Sequence, residues 1–258
     1  MCRLTVISLI TAIVMFTSAC QTLMTDNESI AQQSTDPIAE LQTKLGTGYM
    51  REGKLELAWE NLNKALKTDS RYSVAHNAMG LLYEQLDEPD KARKHYELAI
   101  KYNPSDSSAH NNFGSFLCRH GEFEAAEQNF LQALENPLYS TPEIPTTNLG
   151  LCLQREGQID EAEDHLRRAL QLNPRIANAL IAMSDLSLQN GQELSARAYI
   201  ERYAEVTRHS PRTLWLGVQI ERALGDMNAA ASYAMLLRSN YPDSQETRLL
   251  LESESQWQ

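Results

Sequence analysis

Small residues recur along this chain at an almost fixed spacing. Gly46, Gly80, Gly114 and Gly150 lie 34, 34 and 36 residues apart. A second series, Ala58, Ala92, Ala126, Ala162, Ala196 and Ala230, runs at 34, 34, 36, 34 and 34. Such a period is too long for one helix or strand and too short for a domain. It therefore constrains the chain to stacked supersecondary units that touch only their neighbours. Apolar Leu66, Ile100, Leu134 and Leu170 follow the first four alanines by eight residues. Pro104, Pro174 and Pro242 fall where helices should end, so their missing N–H does least harm.

The stretch Asn111–Asn136, NNFGSFLCRHGEFEAAEQNFLQALEN, shows what the unit is. Phe113, Gly114 and Leu117 mark one face of a first helix and Gly121 ends it. Phe123 opens a second helix, with Ala126, Phe130, Ala133 and Leu134 as its buried stripe. Gly114 and Ala126 permit close approach of the two helices. This is the tetratricopeptide pattern. It predicts an all-α, right-handed superhelical solenoid of about six repeats over 39–244, at 39–72, 73–106, 107–140, 143–176, 177–210 and 211–244. An insertion with Pro137, Pro142 and Pro145 separates the third repeat from the fourth and predicts a longer loop. The fifth repeat is degenerate, with Ser184 for the glycine and Ser187 for a large apolar residue, and the sixth has Gly217 one residue out of step. Residues 243–258 are read as a capping helix, from Asp243 to Glu252, and a tail.

Met1 to Ala19 reads as a targeting segment: one basic residue, Arg3, an apolar run from Leu4 to Phe16, then Thr17-Ser18-Ala19 directly before Cys20. Small residues followed at once by Cys look like a bacterial lipobox, with Cys20 as the lipidated first residue of the mature chain. Thr17 departs from the usual Leu. An ordinary cleaved signal and an uncleaved anchor are the alternatives. Gln21 after the cysteine, by resemblance to other bacterial lipoproteins, points to the outer membrane. Residues 20–38, rich in Gln, Thr, Ser, Asp and Asn, form a lipid-anchored flexible tether.

Composition excludes several function classes. The formal net charge is −11 and no Lys/Arg block occurs, which disfavours nucleic acid. No Gly-x-Ser-x-Gly, phosphate-binding glycine loop or dinucleotide fingerprint occurs. The repeats also leave no room for a catalytic domain, so neither an enzyme nor a small-molecule substrate is expected. Acidic groups such as Glu122/Glu124 and Asp160/Glu161/Glu163 stand at the starts of second helices and favour the helix dipole. His76 and His110 share one repeat position and form no metal-ligand pattern, so neither metal nor cofactor is expected. Cys118 and Cys152 occupy positions 12 and 10 of neighbouring first helices. These positions point in different directions on parallel helices, so the expectation is two partly buried thiols, although the periplasm permits a disulfide.

With signal, tether and repeats together, the chain resembles the type IV pilus biogenesis/stability lipoproteins of the PilF/PilW family, the pilotins of outer-membrane secretins. The resemblance rests on Asn111-Asn112-Phe113-Gly114 with Phe116-Leu117, and on the Pro137-Leu138-Tyr139 loop followed by Asn148-Leu149-Gly150-Leu151. It rests also on Met183-Ser184-Asp185-Leu186 and on the end from Ala231-Ser232-Tyr233 to Tyr241-Pro242. It implies a non-enzymatic protein that binds secretin subunits in the periplasm and promotes their outer-membrane localisation and multimerisation for pilus biogenesis and twitching motility. The alternative is a periplasmic scaffold for outer-membrane protein assembly or cell-wall enzymes.

Two partner surfaces are expected. First-helix positions that line the inner groove of this repeat include Met50, Asn77, Leu81, Asn111, Ser115, Leu151, Ile181, Leu188 and Trp215. This mixture of apolar and amide groups suits an extended or a helical peptide. Asn111 and Asn148 could instead bridge neighbouring helices. In the first repeat, Leu57 and Trp59 stand where inner repeats carry mostly polar residues, and Leu55, Trp59 and Leu62 share one helical stripe. Leu55, Leu57 and Trp59 are read as a partner patch at the uncovered, membrane-proximal end. The alternative is that the tether covers them through Leu23, Met24 or Ile30.

Overall fold

The computed structural model describes residues 36–255. The signal segment, Cys20 and the tether up to residue 35, with Leu23, Met24 and Ile30, lie outside the described residues, as do the last three.

Thirteen helices and no strand follow one another among the described residues. Six hairpins come first: α1 (Pro37–Arg51) with α2 (Leu55–Thr68), α3 (Ser73–Gln85) with α4 (Pro89–Tyr102), and α5 (Ser107–Arg119) with α6 (Phe123–Leu134). Then come α7 (Glu143–Glu156) with α8 (Ile159–Leu172), α9 (Ala177–Gln189) with α10 (Glu193–Val206), and α11 (Pro211–Ala223) with α12 (Met227–Asn240). α13 (Gln245–Ser255) packs on α11 and α12 and buries Thr247 and Leu250. Each of the first five odd-numbered helices touches the next odd one, whereas no two even-numbered helices among α2–α12 touch. A row of hairpins in contact along one edge and splayed along the other must curve. The odd helices therefore line the concave side of a solenoid, as the repeat pattern predicts.

The periodic glycines sit at the crossing inside each hairpin. A Cβ on Gly80 would stand 2.6 Å from the Tyr96 ring, and one on Gly150 would stand 2.8 Å from Leu166 and 3.1 Å from the Ala162 carbonyl. In the fifth repeat Ser184 fits because its buried hydroxyl donates to the Ala196 carbonyl at 2.9 Å. In the sixth the crossing itself has moved: Gly217 faces Tyr233, one position earlier on both helices. The turn inside each hairpin needs a left-handed residue, filled by glycine from Gly53 (φ 71°) to Gly225 (φ 77°) and by Asp87 (φ 56°) in the second repeat.

Between α6 and α7 the connection runs over 135–142, twice as long as the other links between hairpins. α6 stops after 12 residues where α4 and α8 have 14. Pro137 disfavours helix in the residue before it, so the insertion and the lost half-turn together lengthen the loop.

One expectation is overturned here. Cys118 and Cys152 form a disulfide, with Cα atoms 5.8 Å apart. The two positions do point in different directions, about 200° apart on any one helix. The helices α5 and α7, however, stand side by side, and neighbours meet through opposite faces. Position 12 looks forward along the array and position 10 looks back. The same geometry places Asn148 of α7 against Asn111 of α5.

Candidate partner-binding surfaces

Among the described residues the first hairpin has no predecessor. In later repeats the backward face of the odd helix is core: Ala75, Met79 and Leu82 of α3 pack on the first repeat, and Phe113 and Phe116 of α5 pack on the second. The equivalent stripe on α1 begins at Ile38 and continues through Leu41 and Leu45, which are 58, 55 and 41% exposed. Gly48, next in the stripe, has open space where a Cβ would be. Leu57 of α2 is exposed as well. Sequence reasoning named Leu57 but missed Ile38, Leu41 and Leu45. Alignment of α1 with α3 and α5, position by position, would have found them.

Trp59 is placed otherwise than expected. Its position faces the following repeat, as Arg93 shows by pairing with Glu122 and Arg197 by pairing with Glu221. Trp59 Nε1 accordingly donates to the Tyr83 hydroxyl of α3 at 3.3 Å, and the indole stays 46% exposed. It occupies the outer seam between the first two repeats, not the uncovered end. Leu62 is fully buried beneath Gly46, and Met50 is buried in the same cluster, so both are core residues and not surface contacts. Leu55 is half-buried against that cluster.

Beside this seam lies an imidazole pair. His76 Nδ1 and His95 Nδ1 are 3.0 Å apart, and His76 Nε2 lies 3.1 Å from the Ser70 carbonyl. With Nε2–H donating to that carbonyl, Nδ1 of His76 must accept from Nδ1–H of His95. Burial, then the facing His76 and Lys94, bring His95 down to about 4, and burial lowers His76 too. In the third repeat the same positions hold His110 and Asn129, bonded at 3.0 Å.

On the concave face the structure brings together most of the expected groove residues. Asn77 and Asn111 are buried, whereas Leu81, Ser115, Leu151, Ile181, Leu188 and Trp215 are half-buried. Asn148 Nδ2 donates to Asn111 Oδ1 at 2.9 Å, and Asn112 Nδ2 donates to Asn77 Oδ1 at 3.1 Å. Asn111 and Asn148 thus bridge helices. The charged neighbours are already paired, Glu84 with Arg119 and Asp185 with Arg212. No group of three or more His, Cys, Asp or Glu side chains is arranged to hold a metal among the described residues. None of their helices is long and apolar enough to cross a membrane.

Comparison with known proteins agrees with this architecture. The tetratricopeptide repeat family model matches residues 73–106 and 147–176, and a second tetratricopeptide model matches 95–128. The type IV pilus assembly protein PilF of Pseudomonas aeruginosa is 28% identical over 229 residues, covering 89% of this chain and 91% of that protein. The solved structure of that PilF superposes with a TM-score of 0.77 over 84% of this chain and 97% of its own. The crystal structure of PilW, described as a widely conserved type IV pilus biogenesis factor, is 31% identical. It superposes with a TM-score of 0.77 over 84% of this chain and 99% of its own. The chain belongs to the PilF/PilW family of tetratricopeptide-repeat pilus biogenesis factors.

Proposed function

We propose that this protein is a non-enzymatic outer-membrane lipoprotein, anchored through Cys20, that binds secretin subunits and promotes their outer-membrane localisation and multimerisation. The observation that carries this reading is likeness over nearly the whole length to two pilus biogenesis proteins, in a fold whose exposed apolar groups suit protein partners. The lipid would supply the address and the solenoid the recognition. The uncovered first-repeat end, with Leu57 and the α1 stripe, and the adjoining seam at Leu55 and Trp59 form the first surface. Interfaces favour Trp as an anchor, and Trp59 is hydrogen-bonded to Tyr83 while 46% of its area stays open.

The test is a deletion strain carrying wild-type or Cys20→Ala protein, with secretin multimers in outer-membrane fractions measured by immunoblot. Deletion should abolish multimers and twitching. Cys20→Ala should leave a folded protein that still binds secretin but does not deliver it. Detergent sensitivity of the envelope with intact secretin rings would refute the assignment and favour a general envelope scaffold.

A further inference from the structure

The α1 stripe at the near end of the array is built symmetrically along its own length. Ile38, Leu41 and Leu45 are 58, 55 and 41% exposed, and Gly48 completes the stripe with nothing within 4 Å of a Cβ placed on it. One and two repeats further on, the position of Gly48 holds Leu82 and Phe116, both buried. Gly48 therefore leaves a recess where inner repeats carry a large side chain. Ile38 and Gly48 lie five residues to either side of Thr43, and Leu41 and Leu45 lie two. The intervals along the stripe, three, four and three, are those of a narrow seam between two helices. At the far end, by contrast, α13 lies on α11 and α12, so a head-to-tail stack of chains would first have to displace it. The near end of one chain can meet the near end of another without moving any described helix.

We infer that two copies of this chain pair through their α1 stripes, antiparallel about a twofold axis at the level of Thr43. A twofold interface needs one patch that complements itself: what residue i of one copy does to residue j of the other, j does to i. An antiparallel crossing at that level sets Ile38 of each copy over Gly48 of the other, and Leu41 over Leu45. Ile38 then enters the Gly48 recess as a knob enters a hole. A parallel crossing would crowd Ile38 on Ile38 and leave two recesses facing each other. Charge points the same way. The stripe itself carries no ionised side chain, and Lys44 on its flank bonds to Glu40 of its own helix at 2.5 Å. Near the axis each Lys44 also comes within reach of the other copy's Glu40. Arg51, in the last turn of α1, comes beside Asp36, the N-cap of the other copy's α1, so opposite charges meet at both ends of the seam. The two helix dipoles are opposed as well. Three half-exposed side chains per copy fall short of the roughly 800 Å² per partner of a standard interface. The pair is therefore reversible and yields to a protein that covers more of this end. The inference goes beyond the secretin reading, which seats a different protein on the same stripe, and makes self-pairing its competitor.

The test is sedimentation equilibrium of the full chain from residue 20, carrying Cys20→Ala so that no lipid drives association, at concentrations up to about 1 mM. The unsubstituted stripe should show a reversible monomer–dimer equilibrium. Gly48→Leu should raise the dissociation constant about tenfold or more at an equal or higher melting temperature, because it fills the recess that Ile38 of the other copy needs. Ile38→Ala/Gly48→Leu exchanges knob and hole and should restore pairing. A stripe that is merely apolar would behave oppositely: Gly48→Leu would strengthen association and the exchange would weaken it. That pattern, or a chain with the unsubstituted stripe that stays monomeric throughout, would overturn the inference. The periplasmic part of the secretin, measured on the same proteins, separates the two readings. Secretin binding that is lost in Leu41→Ser/Leu45→Ser, beside an unsubstituted stripe that never pairs, removes self-pairing and leaves the stripe to secretin. Pairing that follows the exchange while secretin ignores every one of these substitutions upholds the dimer and counts against secretin at this end.

Discussion

Replacing both bridged cysteines by alanine should weaken the middle of the array far more than two buried side chains would suggest. Cys118 and Cys152 are 34 residues apart in sequence. Closing a loop of that length in the unfolded chain costs it entropy equivalent to about 4 kcal/mol at 25 °C. Alanine is the right replacement, since both sulfurs are buried and serine would add the cost of two buried hydroxyls. For a chain of this size each kcal/mol moves the melting temperature by about 2–4 °C, so the variant should melt about 8–15 °C lower. A solenoid also distributes stability by neighbour contacts. The bridge joins α5 to α7 across the longest connection, 135–142, where α7 also packs on α6. Its loss should therefore lower the unfolding transition without splitting it. The assay is thermal circular dichroism of the oxidised protein, the reduced protein and Cys118→Ala/Cys152→Ala. The last two should coincide below the first. A variant that melts within 2 °C of oxidised wild type, in one transition, would refute the reasoning.

Gly80→Ala should destabilise by about 1–3 kcal/mol, because its Cβ would meet the Tyr96 ring at 2.6 Å, whereas Gly48→Ala, with open space, should stabilise by up to about 1 kcal/mol from helix propensity. Urea titrations of the two variants separate crowding from propensity. His95 is protonated near pH 6.5 when unfolded but only at about 4 when folded, so the unfolded chain binds more protons in between and stability falls as pH drops through that window. His95→Asn, which copies the His110–Asn129 pair, should flatten the dependence of melting temperature on pH between 6.5 and 4.5. Trp59→Ala should abolish most secretin binding in a pull-down while its far-ultraviolet spectrum stays native, since the indole is half exposed. A large fall in stability with unchanged binding would make it a packing residue.

The fold was legible because repetition multiplies weak signals. One Gly–Ala pair means little, but a shared period of 34 leaves few alternatives to stacked hairpins. Ser184 and Gly217 depart from the pattern, and the structure accommodates each locally, by a hydroxyl bonded to the Ala196 carbonyl and by a one-residue shift of the crossing onto Tyr233. Contacts between repeats were harder to read. The cysteine pair and Trp59 were misjudged for the same reason: helical periodicity tells which residues share a face of one helix, not which neighbour that face meets. The forward and backward faces become known only when a bond such as Asn148 to Asn111 fixes them. Leu62 and Met50 show the companion error. A stripe that runs from Leu55 to Leu62 crosses from the rim into the core within two turns, and sequence spacing does not mark where.

The two ends of the solenoid are finished differently, and the difference bears on how the protein works. At the far end α13 closes the array and buries Leu250 against the last hairpin. At the near end Ile38, Leu41 and Leu45 hold the positions of core residues without a cover among the described residues, and Leu57 of α2 is exposed as well. Gly48 extends that stripe with a gap instead of a side chain. A helix that ended an array as a passive cap would carry polar groups there, as terminal repeats generally do. Polar groups do appear on α1, at Glu40 and Lys44, but they bond to each other beside the stripe and leave it open. The stripe begins two residues after the first described residue, so a partner seated on it would sit at the N-terminal end of the array. The concave groove lies along the odd-numbered helices, and its buried asparagines begin one repeat later, at Asn77. Binding at the near end and binding in the groove can thus be separated by mutation: Leu41→Ser/Leu45→Ser should affect the first and Asn112→Ala/Asn148→Ala the second. A partner that lost affinity equally to both pairs would have to span the first three or four repeats.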